Sequence, residues 1–203
     1  MVKAIVFDIG GVYFEEGHRG TLQTVSKLCN IPYEKVHKVF HKHFVDKGYS
    51  KGEISEQECW NGIIKELKLD FNWKDLKKIV FELYIPKPGM KELVRELKKK
   101  YVIGILSDQT NWLDELDKKY KFLKDFNVVI NSYEVGLVKP AKEIYQILLA
   151  ELRLKHDVLP NEVVFIDNKK KNVRGAKKFG INALLFTDIE QLKRDLKKLK
   201  VKI

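Results

Sequence analysis

Three short runs in this chain are apolar from end to end and then stop on a polar or acidic residue: "AIVFD" at 4–8, "VIGILS" at 102–107 and "VVFID" at 163–167. A strand with one wet face alternates apolar and polar residues, whereas a strand covered on both faces does not. The runs therefore predict a buried parallel sheet. Two further runs, "FNVVINS" at 126–132 and "NALLF" at 182–186, fit the same sheet. Helical patterns separate them, as parallel crossovers require. Such sheets hold ligands outside the carboxyl ends of their strands. That rule singles out the residues where the runs stop: Asp8, Ser107 and Asp167.

Between residues 19 and 84 the period changes. "TLQTVSKL", "YEKVHKVFHKHF", "SEQECWNGIIKEL" and "NWKDLKKIVFEL" carry apolar residues three and four apart, which predicts about four helices and no strand. Ser55 and Glu58 form a capping box, and Asn72 is an expected N-cap. "IPKPGM" at 85–90 breaks the helical pattern, and strand and helix alternate after it. Met90, Leu93, Val94 and Leu97 make one apolar helix face, Asp188 and Gln191 a second capping pair, and Gly180 a C-cap. Asn111 is expected to open a helix, with Asp108 as a surface residue beside it, a metal ligand or an acid.

The 203 residues carry a formal charge of +11, from 39 basic and 28 acidic side chains. Most lysines fall on outer helix faces, as in "QLKRDLKKLK", which reads as a solvated surface or an attraction for anionic substrates. No groove-reading motif appears and aromatics are not interleaved with the lysines, which argues against nucleic acid. No apolar run is long enough to cross a bilayer, and no secretory leader is visible, so the expected location is the cytoplasm, with no membrane partner. Cys29 and Cys59 have neither the number nor the spacing of a disulfide framework or zinc site.

Four separated motifs carry the chemistry: "FDIGGV" with Asp8, "ILSDQTN" with Ser107, "GLVKPAKEIY" with Lys139, and "VFIDNKKKNVRGA" with Asp167 and Asn168. In this order they resemble the motifs of the haloacid dehalogenase superfamily, in its phosphatase-like branch with a helical cap. The resemblance implies an α/β, Rossmann-like core of residues 1–14 and 86–203, with a five-stranded parallel sheet in the order 5-4-1-2-3. Residues 15–85 would form the cap. It implies an Asp8 nucleophile that forms an aspartyl-phosphate, with Ser107 and Lys139 as the other catalytic groups. Gly11, Ser107, Asp108 and Lys139 would hold the phosphate. A magnesium ion would sit on Asp8, the Gly10 carbonyl, Asp167 and Asn168, and Asn172 would steady Asp167 or Lys139.

Two positions depart from that pattern. Gly10 stands where these phosphatases carry a second aspartate, which protonates the leaving alcohol. Asn168 stands where they carry a charged metal ligand, so a weakened magnesium site is expected. The leading expectation is a phosphatase of a small phosphorylated metabolite, acting as a monomer or homodimer. The alternatives are a degenerate binding protein without turnover and a metal-independent dehalogenase. The last would resemble "DxYGT" at the first motif, and this chain does not. His18 and Arg19 lie near the start of the helical segment, where they could meet substrate or solvent.

Overall fold

The computed structural model describes residues 1–203. Strand β1 (Ala4–Phe7) lies at the centre of a parallel sheet, between β2 (Val102–Ser107) and β4 (Val163–Asp167). The edges are β3 (Val128–Asn131) beside β2 and β5 (Asn182–Leu185) beside β4. The order 5-4-1-2-3 is the one expected. Period-two geometry sends successive side chains to opposite faces. Ile5, Phe7, Ile103, Ile105, Val164 and Ile166 enter one core, while Ala4, Val6, Leu106, Val163 and Phe165 enter the other. That two-sided burial is why the runs show no polar alternation.

Helices α5 (Met90–Lys98), α6 (Trp112–Tyr120) and α10 (Ile189–Lys198) supply the first core. Helices α8 (Lys142–His156) and α9 (Lys170–Lys177) supply the second. A single turn, α7 (Ser132–Val135), follows β3. The face of α5 is the one read from sequence, with Met90, Leu93, Val94 and Leu97 all buried. Asp188 caps α10 through the Gln191 N–H, but the Gln191 side chain reaches the N–H of Thr187 rather than closing a reciprocal box.

Residues between β1 and α5 form a helical block: α1 (Gly17–Leu28), α2 (Tyr33–His41), α3 (Glu56–Leu67) and α4 (Trp73–Phe81). A π turn at Lys42–Asp46 and a 3-10 turn at Tyr49–Lys51 connect α2 to α3. The Ser55–Glu58 capping box forms, and the Asn72 side chain accepts the Lys74 N–H. Cys59 is buried on α3, Cys29 is half-buried after α1, and both thiols are free.

The block is joined to the sheet by packing as well as by chain. Its Leu22, Val25, Val36, Phe40, Trp60, Ile63, Leu76 and Val80 belong to the same apolar cluster as Ile5 and Phe7. Where the chain leaves and re-enters the block, Glu15 N–H donates to the Ile85 carbonyl at 2.8 Å and Lys87 N–H to that of Tyr13 at 2.9 Å. Trp112 of α6 stacks on Trp60 of α3, with centroids 5.9 Å apart, and meets Phe81 and Tyr84 edge-on. Its indole N–H donates to Glu56, which also receives Lys77 at 2.8 Å. Burying one such aromatic is worth about 1.5–3 kcal/mol, more than the partly exposed ion pairs around it. Asn111 does not cap α6. Its side-chain oxygen accepts the Tyr49 hydroxyl at 2.6 Å, a bond between block and core that outcompetes the local turn. No helix is long and apolar enough to cross a membrane.

Candidate active site

Asp8, Ser107 and Asp167 stand at the carboxyl ends of the three central strands, and parallel pairing brings those ends level. Asp8 follows β1, its N–H bound to the Ile166 carbonyl at 2.9 Å. Lys139 reaches in from the loop before α8. Its Nζ lies 2.9 Å from Asp8 Oδ1 and 2.8 Å from Asp167 Oδ2, and it donates to the Leu106 carbonyl at 2.9 Å. Its side chain is fully buried, so of the chain's many lysines this one is structurally distinct. The Lys139–Pro140 peptide is cis. The Lys139 N–H is in turn held by Asp108 Oδ1 at 2.8 Å. Asp108 is thus neither a simple surface residue nor a cap on α6; it fixes the loop that delivers the lysine.

One lysine faces three carboxylates here. Burial alone would lower the Lys139 pKa, but the fields of Asp8, Asp167 and Asp108 outweigh it and the net direction is up. Burial is also the largest influence on Asp8. It overcomes the pull of Lys139, Asp167 and Asp108 add to it, and the Asp8 pKa rises to about 6. The cluster therefore holds excess negative charge in a dry place, an arrangement that calls for a further cation.

Asp167 has one position left to offer such a cation directly. Its Oδ2 takes Lys139 and the Asn172 amide, at 2.8 and 2.9 Å, and its Oδ1 takes the Lys169 N–H at 2.7 Å. These three bonds leave one lone pair on Oδ1 for the expected metal contact, and the Asn172 amide holds Asp167 in place. Asp8 Oδ1 holds Lys139 and the Ile9 N–H, leaving Oδ2 uncommitted. The Gly10 carbonyl accepts no backbone hydrogen bond. Asn168 carries a buried side-chain oxygen with no partner. These three oxygen donors, one of them a carboxylate, fit a hard divalent cation such as magnesium, which binds through one or two carboxylates.

The two glycines differ. Gly11 has φ +82°, and a Cβ there would lie 2.2 Å from the Asn168 amide nitrogen. Its N–H is committed to the Phe14 carbonyl at 2.9 Å, so an expected phosphate contact from Gly11 does not rest on that group. What Gly11 supplies is a left-handed turn and room for Asn168. Gly10 has no positive φ, and nothing lies within 4 Å of where its Cβ would be.

A cleft of about 390 Å³ opens over Asp8, a size suited to a small molecule. Ser107, Asp108 and Lys139 line it beside Asp8, and so do His18, His37 and His41 of the block. Sequence reading noted His18 but missed His37 and His41, whose helical spacing in α2 looks like any solvated face. His18 lines the cleft but is exposed to solvent. Desolvation by its neighbours, followed by the fields of Lys169, His37 and His41, moves its pKa down.

Residues 2–180 match the family model described as haloacid dehalogenase-like hydrolase. The chain is 31% identical to the bifunctional epoxide hydrolase 2 of Rattus norvegicus over 97% of its own length, although it spans only 38% of that protein. It is 24% identical to the D-ribitol-5-phosphate phosphatase of Bacteroides thetaiotaomicron, over 89% of each chain. A HAD family enzyme from the same bacterium, solved with magnesium and inorganic phosphate, superposes with a TM-score of 0.74 at 22% identity, covering 95% of this chain and 99% of that one. A wedge of burial, charge and register around Asp8 and a family match over most of the sequence lead to one conclusion: the chain belongs to the haloacid dehalogenase-like hydrolases.

Proposed function

We propose that this chain is a magnesium-dependent phosphatase of small phosphorylated metabolites, acting through an aspartyl-phosphate on Asp8, beneath a cap formed by residues 15–85. One observation carries the reading. A buried carboxylate, tied at Oδ1 to Lys139 and free at Oδ2, faces a cleft of small-molecule size. The name of the Bacteroides thetaiotaomicron relative, a D-ribitol-5-phosphate phosphatase, supports a phosphate monoester as substrate.

In this reading the Asp8 carboxylate attacks phosphorus as the bond from phosphorus to the alcohol oxygen breaks, and water then hydrolyses the aspartyl-phosphate, splitting hydrolysis into two easier steps. Ser107 binds phosphoryl oxygens, and the positive charge of Lys139, whose own donors go to Asp8, Asp167 and Leu106, stabilises the charge that accumulates on them. Lys139 also bridges Asp8 and Asp167 and offsets their mutual repulsion, while Asp108 and Asn172 fix the positions of Lys139 and Asp167. Magnesium held by Asp8, the Gly10 carbonyl and Asn168 would neutralise the phosphoryl oxygens. The open space at Gly10 leaves no side chain from the first motif to give the leaving alkoxide its proton. Turnover is therefore slow, by about 10²–10⁴-fold against an enzyme with a positioned acid. A second reading, a ligand-binding protein without turnover, is favoured by the same open space.

Phosphate release from a panel of esters, with magnesium or with chelator, tests the proposal. The expected result is magnesium-dependent release that Asp8→Asn abolishes. Release that survives Asp8→Asn would overturn Asp8 as the nucleophile, and binding of phosphate mimics with no release at all would favour the second reading.

A further inference from the structure

One side of the cleft is built for charge. Lys169 and Lys171 reach its rim from the loop after β4 and the first turn of α9, and neither takes part in any of the chain's ion pairs. They differ in this from Lys139, which is neutralised by Asp8 and Asp167. The Lys169 backbone is pinned by its N–H bond to Asp167, so the side chain projects from a fixed point. Three histidines, His18, His37 and His41, line the same cleft. His37 and His41 stack with centroids 6.2 Å apart, and Tyr33 stacks on the other face of His37. His41 has a counter-charge, Asp46 at 3.7 Å, and Glu16 is the one rim acid outside the Lys139 network. Lys169 and Lys171 are both exposed.

We infer that the preferred substrate is a small phosphate ester whose alcohol portion carries a second anionic group, a carboxylate or another phosphate, bound by Lys169 and Lys171 in the cleft that His37 and His41 line. This rests on the phosphatase reading for the identity of the ester and on the cleft alone for the second anion. A lysine on the rim is exposed and costs nothing to leave unpaired in water. Two of them on one side of a small-molecule cleft, without acids of their own, are free to pair with a ligand. A charge-assisted hydrogen bond from such a group is worth about tenfold or more in affinity.

The test uses the full chain with Asp8→Asn, so that binding is read without turnover. Titration calorimetry in magnesium compares glycerol 3-phosphate with 3-phosphoglycerate, which differ by an alcohol against a carboxylate. Fructose 6-phosphate and fructose 1,6-bisphosphate form a second pair that reads the phosphate alternative. The expected result is about tenfold tighter binding of the second member in at least one pair. That ratio should fall to near one when Lys169→Gln and Lys171→Gln are added together; Gln at 169 keeps the N–H that Asp167 needs. Equal affinities within both pairs, or a preference that survives the double substitution, would overturn the inference. Phosphate release by the parent protein separates the two ideas. Release without preference leaves the phosphatase reading and removes this one. A preference without release does the reverse, and no binding of any of the four removes both.

Discussion

The floor of the cleft has two halves that were built differently. Around Lys139 most groups are paired: three carboxylates, the Leu106 carbonyl and the Asn172 amide N–H hold one another in place, while Asp8 Oδ2 and the Asn172 side-chain oxygen stay without a partner. Around Gly10 and Asn168 there is open space above a glycine and a buried amide oxygen without a partner. The first half is specified by its own bonds and would hold its shape with nothing bound. The second is incomplete as protein alone, and it is complete only when something else supplies charge and contacts. A hydrolase site can be rigid where it holds a nucleophile and unfinished where it receives metal and substrate.

The largest effect should come from breaking the locked half. Lys139→Met leaves Asp8 and Asp167 buried without their cation, an expected loss of about 3–5 kcal/mol in unfolding free energy, with loss of phosphate release. Denaturant midpoints read the first and a coupled phosphate assay the second. A shift below about 1 kcal/mol would mean that the two carboxylates are not held together by this lysine in solution.

Finishing the open half should come next. Gly10→Asp is sterically free, since its Cβ meets nothing and its φ is not positive, and it should raise kcat by about 10²–10⁴-fold. Asn168→Asp adds a charged ligand, so the rise in melting temperature on adding magnesium should be larger than for the parent protein. Metal, nucleophile and acid act as a unit, so the double variant should exceed the product of the singles. A folded double variant no faster than the parent would break the contrast between the halves.

A smaller effect tests the border between them. Gly11→Ala forces a left-handed backbone on a side chain and drives it into Asn168, an expected cost of about 3 kcal/mol, with weaker magnesium binding. Asn172→Ala should be mildest, about 1–2 kcal/mol, because Asp167 Oδ2 keeps Lys139 after losing one donor. A pronounced fall in activity from Asn172→Ala would show that the orientation of Asp167 matters more than its pairing.

Much of this molecule can be read from residues close together in the chain. "AIVFD" shows a strand buried on both faces, and Ser55 with Glu58 shows a helix start, because each signal is local. The convergence of Asp8, Lys139 and Asp167 follows from strand order and a resemblance in motif. Other features depend on distant partners. Which of Gly10 and Gly11 bends the chain is decided by Asn168 packed against Gly11. The role of Asp108 depends on an N–H that belongs to Lys139. Asn111 looks like a helix cap until Tyr49 claims it from the block. The cationic rim is hidden for the same reason: His37 and His41 come from one end of the chain and Lys169 and Lys171 from the other, and only the placement of the block makes them face one cleft.

The central position of β1 has a consequence for how the molecule forms. This strand precedes all others in the chain, yet Ala4 pairs with Val102 on one side and Val163 on the other. The first neighbour, β2, is not available until half the sequence is present and the second, β4, until most of it is, and each closure spans a long loop. During synthesis on a ribosome "AIVF" must therefore wait with both edges unpaired, while the helical block that follows it can organise through local contacts. Folding should be slow relative to a helical protein of this size, with the block structured early. The catalytic floor should assemble last, because Asp8 meets Asp167 only when β4 docks.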